Sequence, residues 1–404
     1  MGLPQELVDH ITNMLYDDLP SLQACSLTCK AMFASTRHLI HQTLCLTPRN
    51  NGGILTGQEK SPFRRPHSHG AEIRFLSYMS EHNFLQYTRQ VHIRGFPVFN
   101  PDILLPHLRR LKSLDRVHTL TIEHYYTPSW QHLPRICFDH FHPTLTSLTL
   151  TRPFGHYRAL LRFALQFPQL ENLGFEWLKH DKWTPRDLIA PPTVDQFPPL
   201  RGHLRLAFER NAIWPRELIR GIQHGIGFRS LELESEYFWD QGLHFMNAYS
   251  QSLEDLTIET HGSGTRSRWG GDWFANLFLT AHVTLGTLQV IRRLTYRMPF
   301  HQAIIIGPTL IHGVLFTVTS LVFREFVLEL STLPPRFDAP PLENWGETDR
   351  LIEERFAKDR DFKLIVRMAK HSGLEDFQRR VRGVFPLLES RGCIRFETSY
   401  SIKK

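Results

Sequence analysis

The sequence predicts an α/β solenoid, with short parallel strands joined by helical or irregular returns. Two observations carry this. First, a strand pattern, apolar-x-x-apolar-x-apolar, keeps returning after residue 71. It appears at Thr88–Ile93 (TRQVHI), Val117–Ile122 (VHTLTI), Leu145–Leu150 (LTSLTL), Leu170–Phe175 (LENLGF), Leu204–Phe208 (LRLAF), Phe228–Leu233 (FRSLEL) and Leu253–Ile258 (LEDLTI). The middle apolar residues from the second strand on are Leu120, Leu148, Leu173, Leu206, Leu231 and Leu256, spaced by 28, 25, 33, 25 and 25 residues on subtraction. Second, the intervening stretches are amphipathic. In Tyr157–Phe167, Leu160, Leu161, Ala164 and Leu165 share one helical face and Arg158, Arg162 and Gln166 another; Phe238–Tyr249 repeats the pattern with Leu243, Phe245 and Met246. Leucine-rich repeats combine such a strand with a period of about 20–29 residues. Here the strand fits, the period wanders, and the asparagine or cysteine that normally follows the strand is absent. The expectation is an irregular leucine-rich-repeat-like horseshoe over 71–330.

No single unit of this kind buries a core, but stacked units do, and their strands line a concave face. Alternation puts the residues between the strand leucines on that face. His92, His118, Thr121, Ser147, Thr149, Glu171, Arg229, Glu232, Glu254 and Thr257 are therefore the candidate cargo-binding positions. Pro185–Pro199 interrupts the pattern with several prolines and reads as a loop within the solenoid.

The first 46 residues read as a three-helix module. Pro4 suits a first helical position, Glu6 faces the positive end of the dipole, and Leu3, Leu7, Ile11 and Leu15 recur every four residues. Asp17, Asp18 and Pro20 end that helix, and Ser21 is the expected N-cap of the next, which carries Leu22, Cys25, Leu27 and Cys29. A third helix is expected over Arg37–Leu44. So short a unit has too little interior to be stable alone and must pack on something else.

The same segment resembles an F-box, the adaptor-docking segment of cullin–RING ubiquitin ligases. The pattern falls on Leu3, Pro4, Glu6, Leu7, Ile11, Leu15, Cys25, Ser26, Cys29, Lys30 and Phe33, with Met32-Phe33 standing where a tryptophan is usual. The resemblance implies a substrate-recognition subunit. Leu3, Pro4, Leu7, Ile11, Leu22, Leu27 and Lys30 would meet the adaptor, which in turn binds cullin, while the solenoid holds a protein cargo.

Residues 47–70 are rich in Gly, Pro and Asn and read as a linker. Ala303–Phe323 has no Lys, Arg, Asp or Glu; its length allows a membrane span, but Gly307, Pro308, His312 and Gly313 argue against one and its β-branched residues predict buried strands. Residues 331–404 read as a small α+β cap, with a strand-like Phe362–Met368, a helix Leu374–Arg382 stopped by Gly383, and a strand Ile394–Thr398.

At 404 residues, 41% hydrophobic and 12% aromatic, the chain suits a globular protein with a large core. Its net charge of +7 is spread among interleaved acids, which argues against a nucleic-acid-binding repeat protein. Cys25, Cys29, Cys45, Cys137 and Cys393 show no disulfide spacing, and no secretory signal opens the chain, so a cytoplasmic or nuclear location is expected. Cys137-x-Asp139-His140-x-His142 and His67-x-His69 fit no zinc pattern. Gly262–Asp272 is glycine-rich but lacks both phosphate-binding fingerprints. No catalytic, metal or cofactor site is expected, and the alternatives to the adaptor-docking reading are a repeat scaffold outside any ligase or, less favoured by the interleaved charges, a basic nucleic-acid-binding repeat protein.

Overall fold

The computed structural model describes residues 4–15, 18–48, 54–57, 84–93, 114, 116–123, 141, 143–151, 163–178, 202–208, 228–234, 251–259, 285–286, 288–299, 307–330, 345–357, 361–369 and 374–399. The chain forms two compact units, residues 1–200 and 201–404. Both are parallel-strand α/β solenoids, as the repeated strand pattern predicts.

The first unit opens with three helices, α1 (Gln5–Met14), α2 (Leu19–Ser26) and α3 (Lys30–Ile40). Strands β1 (Thr43–Pro48), β2 (Ile54–Gly57), β3 (Gln90–Ile93), β4 (Thr119–Glu123), β5 (Ser147–Thr151) and β6 (Asn172–Leu178) follow. The sheet order is β2-β1-β3-β4-β5-β6, antiparallel only between β1 and β2. In the second unit β7 (His203–Phe208), β8 (Ser230–Glu234), β9 (Asp255–Glu259), β10 (Arg293–Met298), β11 (Glu325–Leu330), β12 (Lys363–Ala369) and β13 (Ile394–Ser399) run parallel in chain order. Helices α4 (Gly307–Thr317), α5 (Gly346–Arg355), α6 (Leu374–Val384) and α7 (Pro386–Ser390) cross between its later strands.

Equivalent residues stack in register. Val91, Leu120, Leu148 and Leu173 form one buried row, and Leu204, Leu231, Leu256, Leu294, Phe326 and Leu364 form another. Leu204, rather than Leu206, is thus the partner of Leu231. In the second row the repeat lengths are 27, 25, 38, 32 and 38 residues by subtraction. The strand is constant and the return is free to vary. The residue just before the strand is pinned by its carbonyl: His118 O accepts from Thr146 N (3.0 Å) and Ser147 N (2.9 Å), and Arg229 O accepts from Glu254 N (2.8 Å) and Asp255 N (3.0 Å).

Several expectations are corrected. The third helix begins at Lys30, not Arg37, because Cys29 is extended and its sulfur accepts from Met32 N at 3.5 Å; it stops at Ile40, and Leu44 lies in β1. Asp18, not Ser21, caps α2, accepting from the Ser21 amide (3.2 Å) and hydroxyl (2.6 Å). Part of the stretch read as linker is strand β2. Residues 307–317, expected as strand, are helix α4. Pro308 lies at its start, where proline lacks no needed N–H, and Ile311, Val314, Leu315 and Val318 bury one helical stripe. Arg355 of α5 donates to the carbonyls of Leu315 (3.4 Å), Phe316 and Val318 (2.8 Å) around the C-terminal end of α4. Among the described residues no helix is long and apolar enough to cross a membrane.

In residues 331–404, β12 and β13 extend the parallel ladder. Helix α6 runs one residue past Gly383; the left-handed glycine is Gly392, φ 67°, in the turn before β13. Buried Asp349 accepts from the amides of Leu387 (2.9 Å) and Leu388 (3.2 Å) and so caps α7. The stretches 157–162, 185–199, 238–249 and 262–272, with His67, His69, Cys137, His140 and His142, lie outside the described residues.

His41 joins the helices to the ladder, its carbonyl accepting the Thr88 hydroxyl at 3.3 Å. Burial pushes its imidazole down to about 4 from the usual 6.5. The folded state therefore resists protonation. The stability this contributes is complete above the unfolded value and is lost as pH falls from about 6.5 through about 4, by up to roughly 3 kcal/mol. Thermal melts of the full chain between pH 7 and 4.5 are expected to fall less steeply for His41→Asn than for the native chain.

Candidate interaction sites

Helix α1 has two apolar stripes. Val8 and Thr12 face inward with Leu22 of α2, which is only 1% exposed. Leu7, Ile11 and Met14, one helical turn apart, face outward. Leu27 in the turn before α3 is 87% exposed, and Phe33 on α3 is exposed too. Nine large hydrophobic side chains are exposed among the described residues, and these five are the majority. Isolated exposed apolar residues are ordinary; a concentration of them on one small module is not.

A polar clamp fixes the direction of that stripe. Ser35 of α3, buried, donates to Asp9 (2.6 Å), and the Gln5 amide donates to Ser35 (2.7 Å) and to Asp9 (2.9 Å). The Ser35 hydroxyl, then the Gln5 amide, hold the Asp9 carboxyl below its ordinary value. The clamp ties α1 to α3 and keeps Leu7 and Ile11 turned outward. Of the adaptor-facing positions expected from the sequence, Pro4, Leu7, Ile11, Leu27 and Lys30 are exposed. Leu22 is instead interior, since its side chain fills the space between the helices, and Leu3 is outside the described residues.

The candidate cargo positions divide by unit. In the first, His92, Thr121 and Thr149 occupy one register row, half-buried, beside Gly174. A Cβ at Gly174 would come within 3.2 Å of Thr149 Oγ1, so glycine lets that row close up. His118 is exposed before β4; its Nδ1 lies 3.0 Å from the Thr144 carbonyl, which can only accept, so Nδ1 carries the proton.

In the second unit the outward positions form a charge ladder. Glu259, Arg297, Glu329, Arg367 and Glu397 share one register position on β9 to β13, alternating in sign. Arg297 meets Glu259 (2.6 Å), Glu232 (3.1 Å) and Glu329 (3.2 Å). Arg367 meets Glu397 (2.8 Å) and Glu329 (3.5 Å), and Arg205 and His203 approach Glu232 at 3.4 and 3.7 Å. Burial alone would lower the Arg297 guanidinium, but Glu259, Glu329 and Glu232 together drive it above its ordinary value. Glu232, expected to meet cargo, is thus committed to this network. Arg229 and Glu254 lie at the strand beginnings, 4.0 Å apart.

The sequence reading missed Arg297 because it missed β10. The signal was present: Ile291-x-x-Leu294-x-Tyr296 repeats the strand pattern. Arg297→Ala would leave three carboxylates facing one another. With the Arg297 side chain 26% exposed, the loss lies below that of a fully buried pair, roughly 2 kcal/mol. Urea unfolding at neutral pH is expected to register that loss as a lower midpoint for Arg297→Ala than for the native chain.

Among the described residues no group of three or more His, Cys, Asp or Glu side chains is placed to hold a metal ion. No family model matches the chain. No curated protein matches it. Among solved structures it is similar to the crystal structure of the Rad7 and Elc1 complex in yeast, with 11% identity, 91% of this chain and 84% of that chain covered, and a TM-score of 0.37.

Proposed function

We propose that this chain is the substrate-recognition subunit of a cullin–RING ubiquitin ligase. The outward apolar stripe of Leu7, Ile11 and Met14, with Leu27 and Phe33, carries the reading. A module with so small an interior gains by hiding that stripe in a partner, at roughly 25 cal/mol for each Å² removed from water. The partner is the ligase adaptor, and through it the cullin. Its contact set is Pro4, Leu7, Ile11, Met14, Leu27, Lys30 and Phe33. Relative to the sequence expectation, Leu22 leaves the set, Met14 and Phe33 join it, and Leu3 lies outside the described residues. Phe33 supplies the aromatic surface at the place where the F-box pattern usually has tryptophan.

In this reading the chain performs no covalent chemistry. It raises the rate of ubiquitin transfer by holding cargo beside the loaded enzyme, so that a bimolecular encounter becomes an intramolecular one. The parallel-strand face is the cargo platform, which suits a rigid sheet bearing side chains in fixed rows.

The test is co-purification of the full chain with the adaptor. Leu7→Asp with Ile11→Asp places two carboxylates on the stripe, and adaptor recovery is expected to drop at least roughly a hundred-fold, about 2.7 kcal/mol. Both side chains already face solvent, so the variant's thermal melt should match the native one. Undiminished recovery of the adaptor refutes this docking mode and leaves a repeat scaffold outside the ligase.

A further inference from the structure

We infer that the rim formed by the beginnings of β8 to β11 takes an acidic peptide segment of the cargo. This rests on the cargo-platform reading above and narrows it to one edge of the second unit. The residue immediately before each of these strands is, in order, Arg229, Glu254, Arg292 and Arg324. Their backbones form one continuous line: Glu254 N donates to Arg229 O (2.8 Å), Arg292 N to Glu254 O (2.7 Å), and Arg324 N to Arg292 O (2.8 Å). Three arginines and one glutamate are therefore held side by side at strand spacing.

The ion pairing there is loose. Arg229 and Arg292 share the single carboxylate of Glu254, at 4.0 and 3.6 Å, and their side chains are 71% and 64% exposed. Exposed pairs of this kind contribute little and give way readily to a competing anion. The contrast is with Arg297 on the same sheet, enclosed by three carboxylates and unavailable to a ligand. In the next row Arg293 and Glu325 neutralise each other at 2.5 Å, and Asp255 is half-buried. Arg324 approaches Asp361 at 4.0 Å, and the accessible positive excess on the rim lies at Arg229 and Arg292, which share one carboxylate.

Arg229 and Arg292 are two strands apart, about 10 Å at ordinary strand spacing, which an extended peptide bridges in about three residues. Two guanidinium forks at that separation fit two carboxylates or phosphates carried a few residues apart on one segment. Glu254 then acts as an internal competitor: it occupies both arginines until a peptide anion displaces it.

The experiment measures fluorescence anisotropy of a labelled poly-glutamate peptide, and of a serine-phosphorylated peptide, on the full chain. Arg229→Glu with Arg292→Glu is expected to weaken binding by at least roughly ten-fold, as two reversed exposed charges imply. Glu254→Gln is expected to tighten it several-fold, a sign that a purely structural role for these residues does not produce. Either peptide binding more tightly supports the inference and says whether carboxylate or phosphate is the preferred anion. Equal binding by native and doubly reversed chains overturns it, as does an RNA oligonucleotide that binds this rim more tightly than both peptides. The Leu7→Asp, Ile11→Asp chain separates the two readings. If it keeps peptide binding and loses the adaptor, both stand. If the native chain recovers adaptor but ignores the peptides, only the rim fails; if it binds peptide but no adaptor, only the ligase role fails.

Discussion

In-register parallel pairing is the constraint on which the rest depends. Once Leu148 aligns with Leu120 and Leu173, every side chain of β4, β5 and β6 is assigned a row. A slip of one residue would turn each leucine to solvent and each threonine to the core. The doubly accepting carbonyls of His118 and Arg229 resist such a slip from the backbone side. The returns between strands carry no such restriction, which is why lengths from 25 to 38 residues coexist in one ladder.

The same alignment determines what the charges can do. A charge placed on one strand has neighbours at strand spacing on both sides, so its partners are chosen by register rather than by sequence distance. Glu232 and Arg297 are 65 residues apart in the chain yet 3.1 Å apart in the sheet. Where signs alternate, as in Glu259, Arg297, Glu329, Arg367 and Glu397, the row closes on itself and stiffens the sheet. Where they do not alternate, as before β8 to β11, positive charge is left over at the surface. A closed charge row and a residual surface charge thus come from one geometry with two sequence patterns.

The helical module follows a different economy. Its interior is filled by Val8, Thr12 and Leu22 and braced by Ser35 and Asp9, leaving the second stripe of α1 outside. Thr12 and Ser35 were poor candidates for interior residues on hydropathy alone. They are buried because their hydroxyls find local acceptors, the Asp9 carbonyl at 3.0 Å and the Asp9 carboxylate at 2.6 Å.

The repeated apolar-x-x-apolar-x-apolar strand determined the solenoid by itself, since a period-2 pattern at every return admits only a stacked, half-buried strand. The exposed stripe of Leu7 and Ile11 was equally legible, because a helix of fixed pitch places residues four apart on one side. Tertiary structure alone decided that Leu22 turns inward, that the β-branched run at 307–317 is helix rather than strand, and that Glu232 belongs to Arg297. Each of these depends on which distant element arrives alongside: a third helix, the α5 arginine that closes α4, a strand many residues later in the chain. Local periodicity carries no record of those arrivals, and packing supplies them only when the whole ladder is in register.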